Sequence, residues 1–410
     1  MVPPELSTQS GKDFRKRVSQ LGEELNGTIS TLLSEIPGSP HSPQKLAQTL
    51  GLDKVFTSRL LKAMREHDPL GVVHLMPGPE PLRRLAKSFK RRSCNADQTR
   101  KLEAVIDRFD QMIRQEAGDR SSFAALVTSW LPSAKEALEL RHRQAAYKAM
   151  SLLRGSSVDV NASAVLLNPS DDPGRIDVVW IFGIYGLRRM RPGVVTKFST
   201  RRVVDQNEPR QPLSLDGDPI EDLTSLRLDQ FCFSPPAPME AQTVGESCHY
   251  LLGDAGFGPN SAVDLVFAEL NRSEIASVLP KGSNRKGWFF SSIGQPSRRL
   301  QFDVFVHRDL YRGRDPELIV YDTSVDGVAD VNDPVRDVDR IETSAAVEVL
   351  GFGDARAHTR DIPNYVQLLE HVYSRLGWDV QEHRGYRCSI DFPIYGSQVS
   401  LAFEAPEKAD

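Results

Sequence analysis

Lys54, Val55, Ser58, Arg59 and Lys62 fall within nine residues at spacings of one, three, one and three. On a helix that spacing gathers all five on one face. Their groups suit a nucleic acid. Arg and Lys reach guanine O6 and N7 or a phosphate, Ser reaches a phosphate, and Val meets a thymine methyl. A second basic run follows in Arg83, Arg84, Lys87, Lys90, Arg91 and Arg92, six cations in ten residues with no acid between them. Such a run gives affinity for phosphates without reading sequence, and a solvated helix end is its plainer explanation.

Other arrangements that could support chemistry are incomplete. His307-Arg308-Asp309-Leu310 has the order of a kinase catalytic loop, but the magnesium-holding Asn that should follow is missing, as are the glycine-rich loop and strand lysine. The Gly253–Gly258 stretch lacks a phosphate-binding lysine and reads as a turn. The nine histidines show no metal-binding spacing, although His358 and His371 have acids nearby. Trp180, Phe182, Tyr185, Trp288, Phe289 and Phe290 read as core aromatics. No catalytic residue, metal or cofactor is expected. Cys94, Cys232, Cys248 and Cys388 lie far apart and form no C-x-x-C pair, which suits reduced thiols in a cytoplasmic protein. There is no apolar run long enough for a transmembrane helix, and the first residues, without an apolar h-region, read as a ragged start and not a secretory signal.

Charge is unevenly divided. Residues 1–154 hold 25 Lys and Arg against 17 Asp and Glu, whereas the rest hold 26 against 38. A basic front on an acidic back suits a chain whose first part meets a polyanion. Texture divides at nearly the same place. The first 154 residues read as helix. Val18, Leu21, Leu25, Ile29 and Leu32 mark one face, then Pro37-Gly38-Ser39-Pro40 breaks the chain. Leu102, Val105, Ile106, Phe109, Met112 and Ile113 keep a three-and-four spacing from Ala96 to Glu116, which fits a bundle helix or a dimerisation helix. Another helix is predicted over Ser133–Leu153.

After Gly155, short β-branched or aromatic runs at 163–167, 176–182, 300–306 and 318–321 read as strands. Helices are predicted over Ala262–Leu270 and Ile362–Leu376. Segments 205–225 and 324–340 are acidic and turn-rich, and are expected as loops. The chain is therefore expected to be multidomain, an all-α N-terminal region followed by an α+β body rich in antiparallel sheet. The expected divisions are a head over 1–95, a helical linker or dimerisation segment over 96–154, and an acidic effector or partner-binding domain over 155–410.

The segment Ser42–Met64 specifies the elements that would present the first face. Ser42 is an N-cap with Pro43 at the first helical position, and Leu46, Ala47 and Leu50 give a buried face. Gly51 suits the positive φ of a turn, and Asp53 caps a second helix with Thr57, Leu60, Leu61 and Met64 inward. A small residue, glycine four later, and a β-branched residue six further on resemble the helix-turn-helix of bacterial transcription regulators. Thr57 stands where that family more often has Val or Ile. The run Val72–Pro77 resembles the edge of a wing, as in winged-helix regulators of the IclR or MarR type. The resemblance implies a dimeric, double-stranded-DNA-binding regulator of transcription, with a small molecule or protein as effector. An enzyme with its site in the body, or an assembly factor using the helix pair for protein contacts, are the alternatives.

Overall fold

A computed structural model describes residues 4–37, 42–202, 212–220, 223–232, 237–244, 247–253, 256–311 and 314–407. The break expected at 37–40 and the loop expected at 205–225 therefore lie partly outside the described residues. The sequence suggested divisions after 95 and 154; the contacts divide the chain once, between Leu138 and Glu139.

The first unit is helical. It contains α1 (Pro4–Ser34), α2 (Pro43–Leu50), α3 (Lys54–Met64), α4 (Pro69–Leu75), α5 (Pro79–Arg91), α6 (Ala96–Glu116) and α7 (Arg120–Thr128), and α8 (Pro132–Arg154) carries the division. Side chains outside the helices start most of these elements. Ser42, Asp53, Asp68, Asn95 and Asp119 each accept a hydrogen bond from the backbone of the first turn that follows, satisfying N–H groups the helix cannot. Val18, Leu25, Ile29 and Leu32 of α1 are fully buried in one core with Leu102, Ile106 and Phe109 of α6 and Phe123 of α7. The apolar face of α6 is thus spent inside its own bundle, which removes it as a dimerisation seam.

The wing edge expected at Val72–Pro77 is also corrected, because Val72–Leu75 is the end of α4. Asp68 accepts from Leu70 N and Pro69 occupies the first turn, a start signal that outweighs the β propensity of two valines. Leu70, Val72, Val73 and Met76 are then buried in the helical core. Close approach of α4 to α1 depends on Gly22, where a Cβ would lie 2.1 Å from the carbonyl oxygen of Pro69.

The second unit is the expected mixed body. Strands β1 (Ser156–Pro169), β2 (Arg175–Arg189), β6 (Val263–Ala276), β8 (Ser297–His307), β10 (Val347–Phe352) and β11 (His383–Asp391) form one sheet, ordered β10-β11-β8-β1-β2-β6. Among the described residues of this sheet, only β1 and β8 pair in parallel. The helix predicted at Ala262–Leu270 is strand β6. Leu265 and Phe267 enter one cluster while Val266, Ala268 and Leu270 enter another, so alternate residues serve opposite faces. A run apolar on both faces has no period to separate it from a buried helix.

Helix α9 (Tyr365–Leu376) covers one face of the sheet through Leu368, Leu369 and Val372. A second sheet, β7 (Lys286–Ser292), β12 (Ser397–Glu404) and β9 (Glu317–Asp322) in that order, covers the other with Phe289, Val320, Leu401 and Phe403. A third, ordered β3 (Thr196–Arg202), β5 (Ser247–Leu252) and β4 (Met239–Val244), supplies Phe198 and Tyr250 to a further cluster. Of the six predicted core aromatics, Tyr185 and Phe289 are buried; Trp180, Phe182, Trp288 and Phe290 are half-buried. Among the described residues no helix is long and apolar enough to cross a membrane.

Candidate nucleic-acid interface

Helices α2 and α3 meet through a turn in which Gly51 takes φ 66° and donates its N–H to Ala47 O. Only a residue without Cβ adopts that conformation at little cost. Thr57 is fully buried at the crossing. Its Oγ1 donates to Pro43 O at 2.8 Å, with Lys54 O at 3.0 Å and Asp53 O at 3.3 Å also within reach. The hydroxyl that departs from the usual apolar residue therefore ties α3 to the first turn of α2.

With Thr57, Leu60, Leu61 and Ala63 turned inward, Lys54, Val55, Ser58, Arg59 and Lys62 are exposed together on the opposite side of α3. Val55 is 67% exposed. Among the described residues Lys54, Arg59 and Lys62 join no ion pair, whereas most cations of the second unit do. Lys45 on α2 and Arg65 at the end of α3 are also exposed.

The second basic run divides in two. Arg83 pairs with Asp107 and Asp110 of α6 at 3.1 and 2.9 Å, and those hydrogen bonds hold its guanidinium more firmly protonated than usual. Lys90 pairs with Glu103 at 2.7 Å. Both side chains serve the α5–α6 packing. Arg84, Lys87 and Arg91, one stripe of α5, remain exposed and outside any ion pair among the described residues, as does Arg92 at the helix end. Helix α2 packs against both α3 and α5.

One contributor has no sequence signal. Arg120 donates through Nη2 to the carbonyls of Val73, His74 and Met76, closing the end of α4, and stacks over Phe109 and Phe123. Its buried Nη1 has no hydrogen-bond partner. Burial, followed by repulsion from Arg59, lowers the guanidinium to about 10. No carboxylate neutralises it in those contacts, so it adds positive potential close to Arg59. A lone arginine after Asp119 reveals none of this in sequence.

The histidine motifs form structural contacts, while the turn expected at 253–258 lies partly outside the described residues. His307 pairs with Glu382 at 3.0 Å through Nε2 and accepts from Asp309 N through Nδ1, closing the turn after β8. His371 meets Gln230 and Phe231, while His358 contributes its carbonyl to Arg387. No group of His, Cys, Asp and Glu among the described residues is placed to hold a metal ion. No family model, curated protein or solved structure matches the chain.

Proposed function

We propose that this chain binds double-stranded DNA through α3 as a regulator of transcription, with the second unit as its sensing or partner-binding body. The observation that carries the reading is the face of α3, where Lys54, Arg59 and Lys62 flank an exposed Val55 and none is neutralised by a neighbouring carboxylate among the described residues. That face sets an exposed valine among cations, and a major groove offers a thymine methyl beside guanine acceptors.

In this reading Arg59 and Lys62 contact base edges, Val55 a thymine methyl, and Lys54 and Ser58 phosphates. Arg84, Lys87, Arg91 and Arg92 add phosphate contacts, and Arg83 and Lys90 hold α5 on α6. A symmetric pair of chains would read half-sites about 34–36 Å apart. Four free thiols agree with a cytoplasmic setting. The test is capture of genomic fragments by the purified chain, followed by titration of the fragment recovered. Arg59→Ala should weaken binding about tenfold or more and relax preference at one base pair, whereas Lys87→Ala should weaken all sequences alike. Capture of no fragment above competitor DNA would contradict the reading.

A further inference from the structure

The acidic segment after β9 is held as a rigid platform. Between Asp322 and Glu342 it carries seven carboxylates and two arginines. Arg336 braces it from within, donating to Asp339 at 2.6 Å and to the carbonyls of Gly327 and Val328 at 3.0 and 3.1 Å. The buried Gln398 side chain clasps Ala329 by both N–H and carbonyl at 2.9 Å, and Asn332 does the same for Lys286 of β7. Ala329 and Val331 point inward. Four valines point outward: Val325 is 88%, Val328 54%, Val335 74% and Val338 87% exposed. Apolar side chains on a fixed acidic loop lose little entropy on docking.

A second exposed apolar surface in the same unit has the opposite charge. Leu152 and Leu153 end α8, and Met190, Val195 and Phe257 lie on the following turns, all exposed. Arg191 links the first two elements by donating to the carbonyls of Leu152 and Leu153, and Gly258 N donates to Arg189 O. Arg154, Arg191 and Lys197 are exposed among them. Neither surface covers the other within one chain, because the side chains of both face solvent.

We propose that the second unit pairs with a second copy of itself, the acidic valine loop of each copy seating on the basic leucine surface of the other. Two such contacts close a two-fold dimer and bury both patches. Charge complementarity selects this partner, since each surface finds on a second copy the apolar groups and opposite charge it lacks. The inference stands apart from DNA binding and is tested without DNA.

The experiment is light scattering and sedimentation of the full chain. The wild-type chain should have twice its 45.7 kDa mass at micromolar concentration and dissociate as salt rises. Val338→Arg and Leu153→Glu each place like charges face to face, and should raise the dimer dissociation constant roughly a hundredfold. Mixing the two variants puts Arg against Glu in one contact and leaves the other native, so the mixture should recover a dimer. Both positions are exposed, and unchanged thermal unfolding would show that the fold is kept. A monomeric wild-type chain, a dimer indifferent to either substitution, or a mixture that stays monomeric would each overturn the proposal.

Discussion

Thr57 Oγ1 donates to the carbonyl oxygen of Pro43 at 2.8 Å, from a side chain with no exposed surface. The bond links the first turn of α2 to the second turn of α3 and so helps set the angle at which α3 projects its basic face. Replacing the hydroxyl by a methyl keeps shape but leaves acceptors short of a donor. Thr57→Val should lower stability by about 1 kcal/mol, measured as a shifted urea midpoint at constant slope. An unchanged midpoint would show that the hydroxyl contributes nothing to the crossing.

Gly22 tests the contact between α1 and α4. Alanine there gains about 1 kcal/mol of helix propensity, but its Cβ would lie 2.1 Å from backbone atoms of Pro69 that cannot rotate away. Gly22→Ala should therefore destabilise by a net 1–3 kcal/mol, on the order of other overpacked cores. Gly27 on the same helix has no neighbour that a Cβ would meet, so Gly27→Ala is the control and should stabilise. Thermal unfolding of the pair gives the comparison.

In the second unit, Asp303 and Arg387 form a buried pair. Arg387 donates to both carboxylate oxygens at 2.9 and 2.7 Å and to the carbonyls of Ala357 and His358, while Tyr365 donates to Asp303 at 2.7 Å. The pair pins the segment before α9 to the sheet. Asp303→Asn leaves a guanidinium buried without its counter-charge and should cost about 3–5 kcal/mol. The double variant Asp303→Asn with Arg387→Met should recover part of that loss, since it removes the stranded charge. A double variant as unstable as the sum of the two singles would contradict this account.

His383 should make the second unit acid-sensitive. Its Nδ1 donates to Asp379 O at 2.9 Å, Nε2 is buried without a hydrogen-bond partner, and Trp378 and Tyr373 pack against the ring. Burial, with some repulsion from His307, lowers the imidazole from 6.5 to about 4. The unfolded chain therefore takes up this proton first as pH falls. Stability is complete above about 6.5 and is lost as pH drops toward 4, by about 2 kcal/mol between pH 7.5 and 5. His383→Gln should remove that part of the pH dependence, read from urea midpoints at the two pH values.

The helix pair was legible because its signals are local. Ser42, Pro43, Gly51 and Asp53 each act on backbone within a turn of themselves, and the structure places both helices where those residues put them. Signals that depend on distant partners were not legible. Val72 and Val73 favour a strand until Asp68 and the core against α1 make them helical. The run from Val263 to Leu270 gives no period because both its faces are covered. Arg83 and Lys90 resemble their neighbours in sequence and differ only through the carboxylates that α6 brings to them. Arg120 was invisible for the same reason, since its role comes from three carbonyls more than forty residues away.

The claim that α3 reads DNA is tested most directly by fluorescence anisotropy of a captured fragment across a salt series, with wild type, Arg59→Ala and Lys90→Ala. The account predicts that log affinity falls linearly with log salt. Arg59→Ala should cost about 1–3 kcal/mol on the captured sequence and far less on random DNA, while Lys90→Ala, whose ammonium pairs with Glu103, should leave binding unchanged. Equal losses for both variants, or binding that ignores salt and sequence alike, would contradict it.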